Sequence, residues 1–119
     1  MRILPRARRL ACALPLALTV AVDAHAAPPP HNPHGYAVKA GTYRCELGRR
    51  LEVRTVSGDQ RTAVLSWNQR DYTLKAVGAR SGAVRFEDPS SGLVWLLISS
   101  KSMLLDSKQG QRLADECRI

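Results

Sequence analysis

The chain has 119 residues, with 18 Lys and Arg against 10 Asp and Glu, for a formal net charge of +8. That length allows one small domain at most. The charges are spread along the chain and do not form the blocks typical of nucleic-acid-binding or membrane-binding tails. A phosphate-binding glycine-rich loop is also missing, and Cys45 and Cys117 do not have zinc-ligand spacing, which argues against nucleotide-dependent enzymes and cysteine-based zinc modules.

Residues 1–26 are predicted to be a cleavable secretory signal peptide. Four arginines precede the apolar run Leu10–Val22, and Ala24-His25-Ala26 fits the small-x-small rule of signal peptidase. The run is shorter than the roughly 20 residues that span a bilayer, so we expect no stable membrane insertion and a periplasmic or secreted protein. Without these residues the chain keeps 14 Lys and Arg against 9 Asp and Glu, a formal +5.

Two other export routes have weaker support. Arg8-Arg9 could belong to a twin-arginine signal, but the surrounding residues do not match one. Cys12 could be lipidated only if it followed the apolar run, and it lies at the start of it.

Residues 27–40 are rich in proline and turn residues, which predicts an extended, weakly ordered linker. His31 and His34 have metal-ligand spacing, but no cysteine or carboxylate lies nearby in the sequence. A metal site needs three or four placed ligands, so the linker interpretation is favoured and no metal or cofactor is expected.

From residue 41 to residue 119 short strands alternate with turn residues, which predicts an all-β domain. The alternation of apolar and polar residues indicates half-buried strands, whereas the continuously apolar segment that begins at Leu93 should be the most buried. Seven or eight such strands are typical of a small antiparallel barrel or sandwich. The predicted strands are Thr42–Cys45, Leu51–Val56, Thr62–Trp67, Tyr72–Val77, Ala83–Glu87, Leu93–Ser99, Ser102–Asp106 and Arg112–Arg118.

Two cysteines remain after the predicted leader, Cys45 and Cys117. An even number of cysteines in an exported chain implies pairing. The bond would join the first and last predicted strands, and this favours a closed barrel of about eight strands over a sandwich.

No catalytic arrangement is recognisable, so the chain is not expected to be an enzyme. A serine nucleophile needs a nearby histidine base, and both histidines after the leader lie in the linker. Glu87-Asp88 and Asp115-Glu116 are adjacent pairs, which point to opposite faces of a strand. Trp67, Tyr72 and Trp95 lie within strand patterns and are expected in the core, so nucleic-acid binding is not expected.

The domain resembles the membrane-bound and periplasmic inhibitors of c-type lysozyme. The resemblance covers about residues 41–118, and its most specific part is Ser81-Gly82-Ala83-Val84-Arg85-Phe86, which is similar to the S-G-A-R-Y segment of that family. The other matching pieces are Tyr43-Arg44-Cys45, Gly48, Leu51-Glu52-Val53, Ala63-Val64-Leu65, Leu74, Gly92-Leu93-Val94-Trp95, Leu104-Leu105 and Cys117.

The resemblance implies an eight-stranded barrel that binds c-type lysozyme and protects peptidoglycan. Ser81 would enter the lysozyme cleft on a loop that Gly82 allows, and Arg85 and Phe86 would stand where the family has arginine and tyrosine. Lys101 or Arg80 would supply the auxiliary basic contact.

The sequence departs from the family pattern at three places. Val84 is an apparent insertion, Phe86 lacks the tyrosine hydroxyl, and the family's W-x-K-G reads Trp95-Leu96-Leu97-Ile98. These departures keep a second function open, a non-inhibitory periplasmic module for anionic envelope glycan or lipopolysaccharide. Ser81-Gly82 would then be an ordinary hairpin turn. The oligomeric state stays open on either interpretation.

Overall fold

The computed structural model describes residue 3, residues 11–21 and residues 29–119. Residues 11–21 have no regular secondary structure and are exposed. The predicted cleavage site after Ala26 and the leader arginines lie outside the described residues. Among the residues that are described, no helix is long and apolar enough to cross a membrane.

Eight antiparallel strands form one sheet in which every strand pairs with its neighbours in sequence. The strands are β1 (Gly41–Arg44), β2 (Arg50–Val56), β3 (Thr62–Trp67), β4 (Arg70–Val77), β5 (Val84–Asp88), β6 (Leu93–Ile98), β7 (Lys101–Asp106) and β8 (Gln111–Cys117). One 3₁₀ turn, Glu46–Gly48, joins β1 to β2. The predicted all-β fold is therefore confirmed, and its strand limits differ from the prediction by at most two residues.

The sheet curls into a nearly closed barrel, with β1 and β8 side by side. Arg44 and Arg118 exchange backbone hydrogen bonds, with N···O distances of 2.7 and 2.9 Å. The predicted disulfide between Cys45 and Cys117 is present, with a Cα–Cα distance of 3.9 Å. The register shifts in the β2–β3 and β7–β8 pairs, with the extra residues in β2 and β8, and such bulges bend the sheet of a barrel.

Alternate side chains of each strand point into the barrel and form its core. In β2, Leu51 and Val53 are buried while Arg50, Glu52 and Arg54 are exposed. Strand β6 is the most apolar and most buried, as its continuous apolar run predicted. Trp95 lies at the centre, with its ring centroid 5.7 Å from that of Tyr43 and 5.5 Å from that of Phe86.

Residues 29–40 lie against one end of the barrel and contain no helix or strand. Asn32 closes a turn by accepting from the Tyr36 N–H and donating to the Tyr36 carbonyl. Val38 is buried in the core cluster, and the Tyr43 hydroxyl donates to the Lys39 carbonyl. The segment is ordered because these local hydrogen bonds are combined with burial of apolar surface.

Candidate functional site

The loops of an up-and-down barrel alternate between its two ends. The β2–β3, β4–β5 and β6–β7 loops therefore share one end with the N-terminal segment. Ser81 lies in the β4–β5 loop, and Lys101 begins β7 just after the β6–β7 turn. The fold thus brings the predicted inhibitory serine and both predicted auxiliary basic residues, Lys101 and Arg80, to the same end.

Ser81 is exposed in a turn held by the backbone. The Gly82 N–H donates to the Ala79 carbonyl at 3.2 Å, and the Ala83 N–H approaches the Ser81 Oγ at 3.4 Å. Gly82 has φ +78°, a left-handed conformation that favours glycine. Within the described residues the Ser81 hydroxyl accepts only this long contact, so its proton is available to donate to a partner.

The N-terminal segment lies directly on this loop. A Cβ atom added to Gly82 would come within 2.7 Å of His34 Nε2, and one added to Gly78 would come within 2.1 Å of the Pro29 carbonyl oxygen. Close packing against the Pro29 backbone therefore requires glycine at Gly78, whereas the left-handed backbone favours glycine at Gly82. Sequence reasoning missed this contact, since nothing local in the Pro-rich segment indicates a partner more than 40 positions away.

The two residues that follow the loop are held within the barrel wall. Arg85 is half-buried on the outer face of β5 and forms an ion pair with Glu87 two residues along. Phe86 is fully buried against Trp95, so it supports the base of the loop and is not available at the surface. The apparently inserted Val84 is also fully buried and begins β5.

The basic residues at this end differ in their partners. Lys101 Nζ lies 3.1 Å from Glu116 Oε1 in an exposed pair, and this contact is the main reason why the pKa of Glu116 is lowered. Arg80 is exposed and forms no ion pair within the described residues. Where the family pattern has its lysine, Leu97 is buried, so that position presents no charge here.

The same end contains an open cavity of about 540 Å³ between the N-terminal segment and the β6–β7 turn. Its walls include Tyr36, Tyr43, Leu97, Ser99 and Arg118. Burial raises the pKa of the Tyr43 hydroxyl, which donates inward to Lys39. Within the described residues no three His, Cys, Asp or Glu side chains are grouped as metal ligands.

These features define a class of small disulfide-closed barrels with an exposed, hydrogen-bonded turn at one end. Residues 43–108 match the sequence profile of the membrane-bound lysozyme-inhibitor of c-type lysozyme family. The match covers more than half of the chain, and the protein belongs to this family of lysozyme inhibitors, which are not enzymes. Searches of curated proteins and of solved structures found no match.

Proposed function

We propose that this protein inhibits c-type lysozyme by inserting the Ser81 turn into the active-site cleft. Family membership supports lysozyme as the target. The observation that carries the loop assignment is the exposure of Ser81 on a turn braced by Gly82 and by the N-terminal segment. Because the turn is already ordered, little conformational entropy is lost when it binds.

The chemistry of the cleft suits a serine. A retaining glycosidase presents two carboxyl groups about 5 Å apart, one of them protonated. The Ser81 hydroxyl can donate to the ionised group and accept from the protonated one. A turn inserted in this way prevents the substrate from entering the cleft, and it contains no glycosidic bond for the enzyme to cleave.

A cation beside Ser81 would add charge-assisted hydrogen bonds to the same carboxyl groups. Arg80 is the better placed of the two predicted auxiliary residues, because it is adjacent to Ser81 and has no ion-pair partner in the described part of the chain. Lys101 would have to break its ion pair with Glu116 before it could bind a lysozyme carboxyl group. An exposed pair contributes at most about 1 kcal/mol, so exchange of partner is feasible.

Lysozyme-driven loss of turbidity of a bacterial cell suspension tests the proposal. The wild-type protein should slow lysis, and Ser81→Tyr should raise the half-inhibitory concentration about a hundredfold because the ring overfills the cleft. Thr73→Tyr, on the exposed outer wall of β4, is the matched control and should inhibit as the wild type does. Lack of inhibition by the wild type would remove the function, whereas equal inhibition by both variants would remove only the Ser81 mechanism.

We further propose that the chain is exported and processed after Ala26, which places the inhibitor in the periplasm or outside the cell. The leader composition supports this location. Intact mass of the protein recovered from a bacterial host should correspond to residues 27–119. A mass equal to that of the whole chain would contradict it.

A further inference from the structure

Three arginines lie side by side where the barrel closes, on β2, on β1 and at the residue that follows β8. Arg44 pairs with Arg50 in the β1–β2 register and with Arg118 through the bridge that closes the barrel. Directly opposed residues of antiparallel strands project from the same face, and their inward neighbours Tyr43 and Leu51 are buried. The three arginines, here called the arginine ladder, therefore point outward and extend about 10 Å across three strands.

The ladder is unfavourable for the isolated protein, because like charges directly opposed across strands repel each other. Arg44 and Arg50 form no ion pair in the described part of the chain, and Arg118 has only a 3.5 Å contact with Glu116. The exposed carboxylates Glu46 and Glu52 lie nearby and reduce the positive field without pairing with the ladder. Two of the three arginines thus have no ion-pair partner in the described part of the chain, which leaves their guanidinium groups available to an external anion.

Leu47 indicates which kind of anion. It lies at the tip of the loop that Arg44 and Arg50 close, and 82% of its surface is exposed. Its φ of 60° and ψ of 26° are left-handed, a conformation that glycine or asparagine adopts more readily than leucine. Neither core packing nor backbone preference explains a leucine there, whereas contact with an apolar phase does.

The location of Leu47 separates it from the proposed inhibitory loop. The β1–β2 loop and the β4–β5 loop are at opposite ends of the barrel, since loops alternate between ends. In a closed order of eight strands, β1 and β5 also lie on opposite walls. Leu47 is therefore directed away from Ser81, whereas Arg118 lies at the far side of the ladder, close to Lys101, since both contact Glu116.

We propose that Leu47 and the arginine ladder form a peripheral binding site for an anionic lipid surface. The guanidinium groups bind phosphate-bearing headgroups, and Leu47 enters the headgroup boundary of the bilayer. Leu47 and the Ser81 turn are on loops at opposite ends of the barrel, so that either function can fail without the other.

Co-sedimentation with lipid vesicles tests the site, using protein expressed from the full chain and shown by mass to lack the leader. The protein should bind vesicles of phosphatidylcholine mixed with phosphatidylglycerol, whose surface potential is negative, and should not bind vesicles of phosphatidylcholine alone. Replacing Arg44, Arg50 and Arg118 with glutamine should lower the partition coefficient about a hundredfold, since each arginine near an anionic surface contributes about fivefold. Leu47→Asn keeps the left-handed backbone and should lower it about tenfold through lost apolar burial.

The matched control removes the same charge elsewhere. Lys39, Arg61 and Lys75 are exposed and lie outside the ladder, and replacing them with glutamine should change binding no more than a few-fold. Melting temperature checks folding, and the ladder variant should melt at or above the wild type because repulsion is relieved.

Three results would overturn the proposal: absence of wild-type binding to anionic vesicles, equal losses in the ladder and control variants, or unchanged binding by Leu47→Asn together with equally tight binding to soluble polyphosphate. The last result would identify an anion site that does not involve a lipid surface.

Discussion

Removing the disulfide should nearly abolish the stability of the barrel. Cys45 and Cys117 are 72 positions apart, so their bond restricts most of the unfolded domain. The loop-entropy relation gives about 15 cal/mol/K for that separation, or about 4 kcal/mol at room temperature. Native domains are stable by only about 5–15 kcal/mol, and a barrel this small lies near the lower limit.

The structure adds a local reason to expect the full loss. Apart from the disulfide, backbone pairing between β1 and β8 in the described chain consists of the single Arg44–Arg118 bridge. Two hydrogen bonds contribute only about 1 kcal/mol each. Without the disulfide, β1 and β8 should separate before the rest of the sheet unfolds.

Urea unfolding of Cys45→Ala/Cys117→Ala, followed by tryptophan fluorescence, measures the effect. The free energy of unfolding should fall by about 4 kcal/mol, with a lower midpoint and a larger m-value because the unfolded chain expands. Wild type in reductant should behave like the variant, and reductant should leave the variant unchanged. A loss below about 1 kcal/mol would refute the reasoning from loop entropy.

Three further outcomes are expected. His34→Ala should weaken lysozyme inhibition several-fold at unchanged melting temperature, because the ring braces Gly82, whereas His31→Ala should have little effect; equal effects of the two variants in the turbidity assay would contradict the brace. The pKa of Glu116 is lowered first by its hydrogen bond from Lys101, so the pair stabilises the fold above the ordinary value of 4.5 and is lost as pH falls through the lowered value. The difference in melting temperature between wild type and Glu116→Gln should therefore shrink on acidification, and a difference that grows would show the opposite sign. Because c-type lysozymes are strongly basic and this domain is basic too, the association rate measured by stopped-flow mixing should rise about tenfold as salt is added, and a rate that falls with salt would exclude like-charge repulsion.

Most strand positions could be predicted because periodicity is a local signal. Strand β3 was predicted with its observed limits, Thr62–Trp67, since turn residues bound an alternating run on both sides. The continuous apolar run of β6 likewise predicted its burial. The alternation in β5 also indicates that Phe86 faces inward, because the adjacent Arg85 is charged and faces outward.

Other features could not be read from the sequence, because they depend on contacts between distant segments. The packing of His34 on Gly82 joins a Pro-rich turn to a loop 48 positions away. The turn at Ser99-Ser100 places Lys101 on the outside and Trp95 on the inside, although a continuous strand would put them on one face. The left-handed backbone of Leu47 could not be predicted from the sequence either, since leucine favours other conformations.

Competition with a substrate oligosaccharide would test most directly whether the Ser81 turn occupies the lysozyme cleft. Affinity of the protein for c-type lysozyme would be measured by calorimetry with and without a saturating chitooligosaccharide that fills the cleft. Mutually exclusive binding predicts that the apparent Kd rises in proportion to oligosaccharide concentration. An unchanged Kd, with both ligands bound at once, would place the contact elsewhere on lysozyme and contradict the mechanism.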